Sequence, residues 1–327
     1  MKLTLFLSSL LAVFAESKCY PPLRVESFVN PGPSLDMVST LIIGSESAVI
    51  IDLPLAVPQA EALASWVANT TDKPLVAAFS THFHPDHYLS GAAFLSRFPE
   101  TKYYANTKTV SLIRNEVKDK ISTWKSILGN ETVVDQARIP TPYDFTFFTL
   151  PGDEEYPIHL LSPLVADTID ETLFWIPSIK TLIAGDSVYS SGLHVWLADM
   201  LSPALTEAWI STLDFIEHLN PDLIVPGHAL SVDRFGATRD LKHTRAYVSL
   251  FQSEVESKGV DSFSPPEIFH LFDSAFPGLL NTTSQTSATL LNITSEQFGR
   301  GGTRQIHYID LTSYNSSSGL EDWGLRE

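Results

Sequence analysis

The sequence predicts an α/β fold, and three observations predict it. Short apolar runs of strand character recur along the chain, stretches with apolar residues at helical spacing separate them, and no Gly/Ser-rich linker divides the two similar halves. In the first half, 25–29, 38–43 and 48–51 read as strands. Residues 58–67 read as a helix, because Ala60, Leu63, Ala64 and Val67 share one face. A buried strand follows over 75–79, then a loop, a helix over 88–98, a short strand over 102–105 and a long helix over 107–128. The second half repeats the theme. Strands are expected over 145–150, 158–161, 172–176 and 181–184, a helix over 206–219, a strand over 223–225 and a helix over 239–257. Beyond about residue 262 the pattern weakens into prolines and a Ser/Thr/Asn-rich end, which reads as a partly irregular surface extension over 261–327.

The N-terminus has a different logic. Lys2 supplies a positive start, residues 3–14 are mostly apolar, and Val13-Phe14-Ala15 fits a small-residue cleavage site, so residues 1–15 read as a signal peptide. The stretch is too short to span a bilayer comfortably, so no stable membrane insertion is expected. Sequons at Asn69, Asn130, Asn281, Asn292 and Asn315 agree with a secreted, glycosylated protein whose main domain covers 16–260. Cys19 is the single cysteine, which excludes an intramolecular disulfide and a cysteine-rich zinc module. A net charge of −17 argues against a nucleic-acid partner, because phosphate contacts need clustered Lys and Arg. A small-molecule substrate is the expected partner, and oligomeric state is not legible.

The chemistry concentrates in Thr81-His82-Phe83-His84-Pro85-Asp86-His87, directly after the apolar run 75–79. His82 and His84 are two apart and leave an extended backbone on the same side, and Pro85 prevents a helix from continuing through the cluster. One pair could hold one metal while Asp86 and His87 hold a second. Two further buried runs end alike: Leu182-Ile183-Ala184 leads into Gly185-Asp186, and Leu223-Ile224-Val225-Pro226 into Gly227-His228. Gly185 permits close backbone approach.

With Ile51-Asp52 added, this set resembles the metallo-β-lactamase fold superfamily of metal-dependent hydrolases, over roughly residues 25–244. The resemblance implies a four-layer αββα sandwich with the site at one edge of the paired sheets. It implies one or two zinc ions, with His82 and His84 on the first, Asp86, His87 and His228 on the second, and Asp186 bridging. Asp52 and Thr81 would orient the loop. One position departs from the family. Asp167 stands where a histidine is expected, and a carboxylate there can still ligate zinc while favouring a harder metal. The alternatives are that Asp167 only hydrogen-bonds the loop, or that His159, eight residues earlier, supplies the nitrogen.

In lactone-hydrolysing members a tyrosine shortly after the bridging aspartate contacts the substrate carbonyl. Tyr189 is placed similarly, as an oxyanion stabiliser or as a packed aromatic. His194 and Trp196 read as pocket-mouth or packing residues. The resulting expectation is a secreted zinc hydrolase that cleaves a lactone or lactam through a metal-held hydroxide, with Asp86 relaying a proton to the leaving group. Thioester or other ester hydrolysis, and a catalytically decayed binding protein, are the competing readings.

Overall fold

The computed structural model describes residues 23–304 except 234 and 260. The expected leader, Cys19, Asn315 and the last part of the extension lie outside the described residues. The first sheet has six strands in chain order: β1 (Arg24–Asn30), β2 (Met37–Ile43), β3 (Ala48–Ile51), β4 (Leu75–Phe79), β5 (Lys102–Ala105) and β6 (Thr141–Pro142). It is antiparallel as far as β3 and parallel beyond. The second has five: β7 (Phe147–Phe148), β8 (Ile158–Leu164), β9 (Glu171–Ile176), β10 (Thr181–Ile183) and β11 (Leu223–Val225). These pair antiparallel except β10 with β11, which are parallel.

Side-chain alternation along the strands makes the layers. Val49 and Ile51 of β3 face inward and share a core with Phe79, Phe174, Ile183 and Val225 from both sheets. Phe79 stacks on Phe148 at 5.0 Å and meets Phe174 edge-on at 5.5 Å, which fastens the sheets together. The intervening residues Ala48 and Ile50 face outward, into the cluster that holds Leu63 and Val67 of α1 (Val57–Thr70). α2 (Gly91–Ser96) and α3 (Thr107–Leu128) complete that outer layer, with Phe94 and Ile113 buried. Across the second sheet, Leu182 and Ile224 face Trp209 of α4 (Pro203–Leu219) and Val248 of α5 (Arg239–Glu254). The order helix, sheet, sheet, helix is the sandwich that the resemblance implied. Among the described residues no helix is long and apolar enough to cross a membrane.

The C-terminal segment, as far as it is described, differs from expectation. It is not a loose appendage: α6 (Pro265–Ala275) and α7 (Thr286–Phe298) bury Ile268, Phe272, Leu290, Leu291 and Phe298 in the same core as α5. Tyr247 stacks on Phe272 and Phe276, at 4.6 and 4.7 Å. Pro265 and Pro266, read as breakers, occupy the first helical turn, where a missing N–H costs nothing, and Ser264 and Glu267 close a capping box around them. Other bounds also shift, two of them most. The helix expected over 88–98 shortens to α2, and the strand expected over 145–150 shrinks to the two residues of β7.

These helices enclose His194. Its Nδ1 lies 3.1 Å from the Tyr247 hydroxyl and its backbone N–H donates to Ser287 Oγ at 2.9 Å. Burial holds the imidazole down to about 4, against a weaker upward pull from Asp273. The folded value lies below the unfolded one of about 6.5, so neutral His194 contributes stability that is complete above about pH 6.5 and is lost as pH falls toward about 4. The variant His194→Gln cannot take up that proton. Its melting temperature is expected to approach or pass that of the wild type by a few degrees between about pH 7 and pH 5, as thermal melts would show.

Candidate metal centre

Four strand ends deliver the site to one edge of the sandwich. Asp52 follows β3, Thr81 to His87 follow β4, Asp186 follows β10 and His228 follows β11. The two sheets are stitched there by backbone: Val38 N–H donates to Gly227 O at 2.7 Å and Ala229 N–H to Asp36 O at 3.0 Å. Gly227 is required by crowding, since a Cβ there would sit 1.9 Å from Asp186 Oδ1. Gly185, at φ +49°, turns the chain so that Asp186 points inward, with Thr81 at 3.1 Å from where its Cβ would be. Trp209 of α4 donates its Nε1–H to Ser187 O and holds that turn.

The expected ligands converge, all of them buried. Donor atoms of His82, His84, Asp167 and Asp186 lie within 4.8 Å of one another, and so do those of Asp86, His87 and His228. Ligands about 2.0–2.2 Å from a zinc ion stand up to about 4.4 Å apart, so each group is within a few tenths of an ångström of the span of one cation. Asp186 belongs to the first group and also reaches the second, with its oxygens 3.2 Å from His87 Nε2 and 3.1 Å from His228 Nε2. Asp167 takes its place in the first group, 3.3 Å from His84 Nδ1. His159 does not: it lies in β8 opposite Phe147.

Hydrogen bonds assign each imidazole a donor side and a bare side. Thr81 Oγ1 gives its hydrogen to Asp52, so it accepts from His82 Nδ1–H at 2.9 Å, and His82 Nε2 has no hydrogen-bond partner among the described residues. His87 Nδ1–H donates to Asp52 Oδ2 at 2.9 Å, and His228 Nδ1–H to Leu35 O at 2.7 Å. His84 is turned the other way, its Nε2–H donating to Asp199 Oδ2 at 3.0 Å. The nitrogens turned to the site, where a cation would take the place of a proton, are therefore His82 Nε2, His84 Nδ1, His87 Nε2 and His228 Nε2. The last three face the carboxylates of the two groups.

The electrostatics also call for cations. Burial pulls His84 down, but Asp167 and Asp199 overcome it and raise the imidazole to about 10. His228 is raised to about 10 against burial by Asp186 and Asp86. His82, which burial and its histidine neighbours depress, stays neutral. Burial, aided by Asp186 and Asp199, pushes Asp167 up to about 7 even though His84 opposes it. Burial and the charges of Asp167 and Asp186 push Glu171 well above the carboxylate range. The pocket holds more acid than its histidines neutralise, and this fits divalent cations held by bare imidazole nitrogens and carboxylate oxygens.

A family model described as the metallo-beta-lactamase superfamily matches residues 35–228. The chain belongs to that superfamily. It is 25% identical over 196 residues to Metallo-beta-lactamase IND-1 of Chryseobacterium indologenes, across 58% of this chain and 70% of that protein. Among solved structures, TMB-1 aligns with 71% of this chain and 100% of its own at a TM-score of 0.50 and 22% identity. DIM-1 covers 70% of this chain and 98% of its own, at 0.49 and 20%. The protein is a hydrolase of the metallo-β-lactamase fold with a His/Asp cluster able to bind metal.

Within that superfamily site, Tyr189 is buried, stacked on His228 at 5.3 Å, and its hydroxyl lies 2.6 Å from Asp186 Oδ2 and 3.0 Å from Asp167 Oδ2. Trp196 meets His84 edge-on at 4.4 Å, so it belongs to the site, whereas His194 points into the packing under α7. Sequence reasoning missed Asp199, Thr168 and Glu171. Each carried a signal. Asp199 is an acid inside an apolar run, Leu197-Ala198-Asp199-Met200, Glu171 opens a buried strand whose other residues are mostly apolar, and Thr168 directly follows Asp167, the position that departs from the family.

Proposed function

We propose that the protein is a secreted, zinc-dependent hydrolase that opens a lactone or lactam. One observation carries the reading: Asp186 reaches both donor groups while the Tyr189 hydroxyl stands 2.6 Å from it. His82, His84, Asp167 and Asp186 would hold one cation, and Asp86, His87 and His228 with Asp186 the other. When bound, such cations supply water activation and carbonyl polarisation. The protein's own groups do the rest. Tyr189 is held protonated by burial and by the charges of Asp167 and Asp186, so it has a hydrogen to donate to an oxygen that gains charge. Asp86 is the most exposed carboxylate of the two groups and accepts a proton that it can hand to the leaving group. Cyclic carbonyl substrates are supported by the position of Tyr189 and by relatives that are named as β-lactamases. An extracellular address is supported by exposed sequon residues Asn69, Asn130, Asn281 and Asn292.

The test is metal content per chain with hydrolysis of a lactone, lactam and thioester panel. Two zinc ions and lactone or lactam turnover are expected; a fully metallated chain inert on all three classes would overturn the reading. Tyr189→Phe should lower kcat by about 10²–10³-fold with little change in KM, the usual loss for one oxyanion donor.

A further inference from the structure

We propose that Asp199 is a positioning residue that sets the metal affinity of the first donor group: a single buried carboxylate oxygen holds His84 directly and Asp167 through its neighbour Thr168. Asp199 Oδ2 accepts from His84 Nε2–H at 3.0 Å and from Thr168 Oγ1–H at 2.6 Å. Asp199 and Thr168 are buried, so water is a poor substitute for either bond. His84 presents Nδ1 to the first group only because Nε2 is taken, and a free imidazole would rotate about its two side-chain torsions. Thr168 adjoins Asp167, the residue that departs from the histidine expected at its position. Its hydroxyl bond anchors the turn between β8 and β9 that carries Asp167, as does the backbone bond from Ala166 N–H to Thr168 O at 2.8 Å. A carboxylate ligand has a shorter reach than an imidazole, so its loop must be held closely. Asp199 does this with the same atom that aims His84. The second group is aimed by other acceptors, Asp52 for His87 and Leu35 O for His228, and Asp199 is hydrogen-bonded to neither histidine.

The inference rests on the metal-centre reading, and its test separates the two. Full-length wild type, Asp199→Ala, Asp199→Asn and Thr168→Val are titrated with Zn²⁺ against a competing chelator and with Co²⁺ followed by its visible absorption; melting curves monitor folding. Asp199→Ala should weaken one of two bound ions by about 10–100-fold, the usual cost of losing a ligand-orienting partner, and alter the Co²⁺ spectrum of that ion alone. Asp199→Asn keeps an oxygen that can accept both hydrogens and should restore most of the affinity. Thr168→Val should lose less than Asp199→Ala, at the same ion. Should Asp199→Ala fail to fold, the other two variants decide the matter. Wild-type affinity and spectrum at both positions in the variants that fold, equal weakening of both ions, or Asp199→Asn binding no better than a folded Asp199→Ala each overturns the role of Asp199 and leaves the metal centre standing. A wild-type chain that binds neither ion overturns both.

Discussion

Asp186→Ala is expected to abolish hydrolysis, by roughly three orders of magnitude or more, and to reduce bound metal at both positions. The size follows from what the carboxylate touches. Its oxygens lie 3.2 Å from His87 Nε2, 3.1 Å from His228 Nε2 and 2.6 Å from the Tyr189 hydroxyl, so one truncation removes a donor from both groups and leaves the phenol on Asp167 alone. Several kcal/mol of transition-state charge stabilisation are at stake, and each 1.36 kcal/mol is about tenfold in rate. Folding should survive at a cost, because alanine fits the Gly185–Ser187 turn while His87, His228 and Tyr189 keep other partners in Asp52, Leu35 O and Asp167. Metal analysis, activity and circular dichroism on the purified variant check all three statements. Retained turnover with full metal would remove Asp186 from the mechanism.

Asp52→Ala should act on stability and metal together. Asp52 sits at the end of β3 with φ +63°, a left-handed conformation that an aspartate tolerates better than most residues. Its carboxylate accepts from Thr81 N–H at 2.8 Å, from the Thr81 hydroxyl at 3.0 Å and from His87 Nδ1–H at 2.9 Å. Truncation strands these donors in a buried site, at about 1–3 kcal/mol for each that finds no new partner. A total of about 3–5 kcal/mol is a large share of the roughly 5–15 kcal/mol that holds a domain folded, and chemical denaturation would measure it. Asp52→Asn separates the two effects. Its amide oxygen can still serve Thr81, but its NH₂ meets His87 Nδ1, which must then become the bare nitrogen and carry its hydrogen on Nε2. That variant should fold close to normally yet bind the ion of the Asp86, His87 and His228 group about 10–100-fold more weakly.

The contrast between what could be read and what could not has a physical basis. The site was legible because its residues sit at strand ends, where an apolar run stops and a Gly, Pro, His or Asp begins; HFHPDH, Gly185-Asp186 and Gly227-His228 all carry that boundary. The strands themselves were legible as short apolar runs in β2, β3 and β4, which pair with one another. What escaped depends on distant partners. Asp199 gains its meaning from His84, 115 residues away, and from Thr168, and Glu171 lies beside His82. Helix α6 escaped because Pro265 and Pro266 read as breakers, and α7 because its Ser, Thr and Asn residues outnumber its apolar ones. β7 is shorter than its hydrophobicity suggests because Phe145 and Phe147 face solvent at the sheet edge.

The hydroxyl contacts of α7 suggest how such an enzyme could change its diet. Ser287 accepts from His194 N–H and Thr294 accepts from Leu197 N–H, so two small side chains on a C-terminal helix clip the very loop that carries Trp196 and leads into Asp199. Exchanges along that helix can re-aim an aromatic wall beside His84 without altering any group that would touch a cation. Selection, or a protein engineer, can therefore retune which molecules are admitted from a remote helix while the reactive machinery is inherited intact.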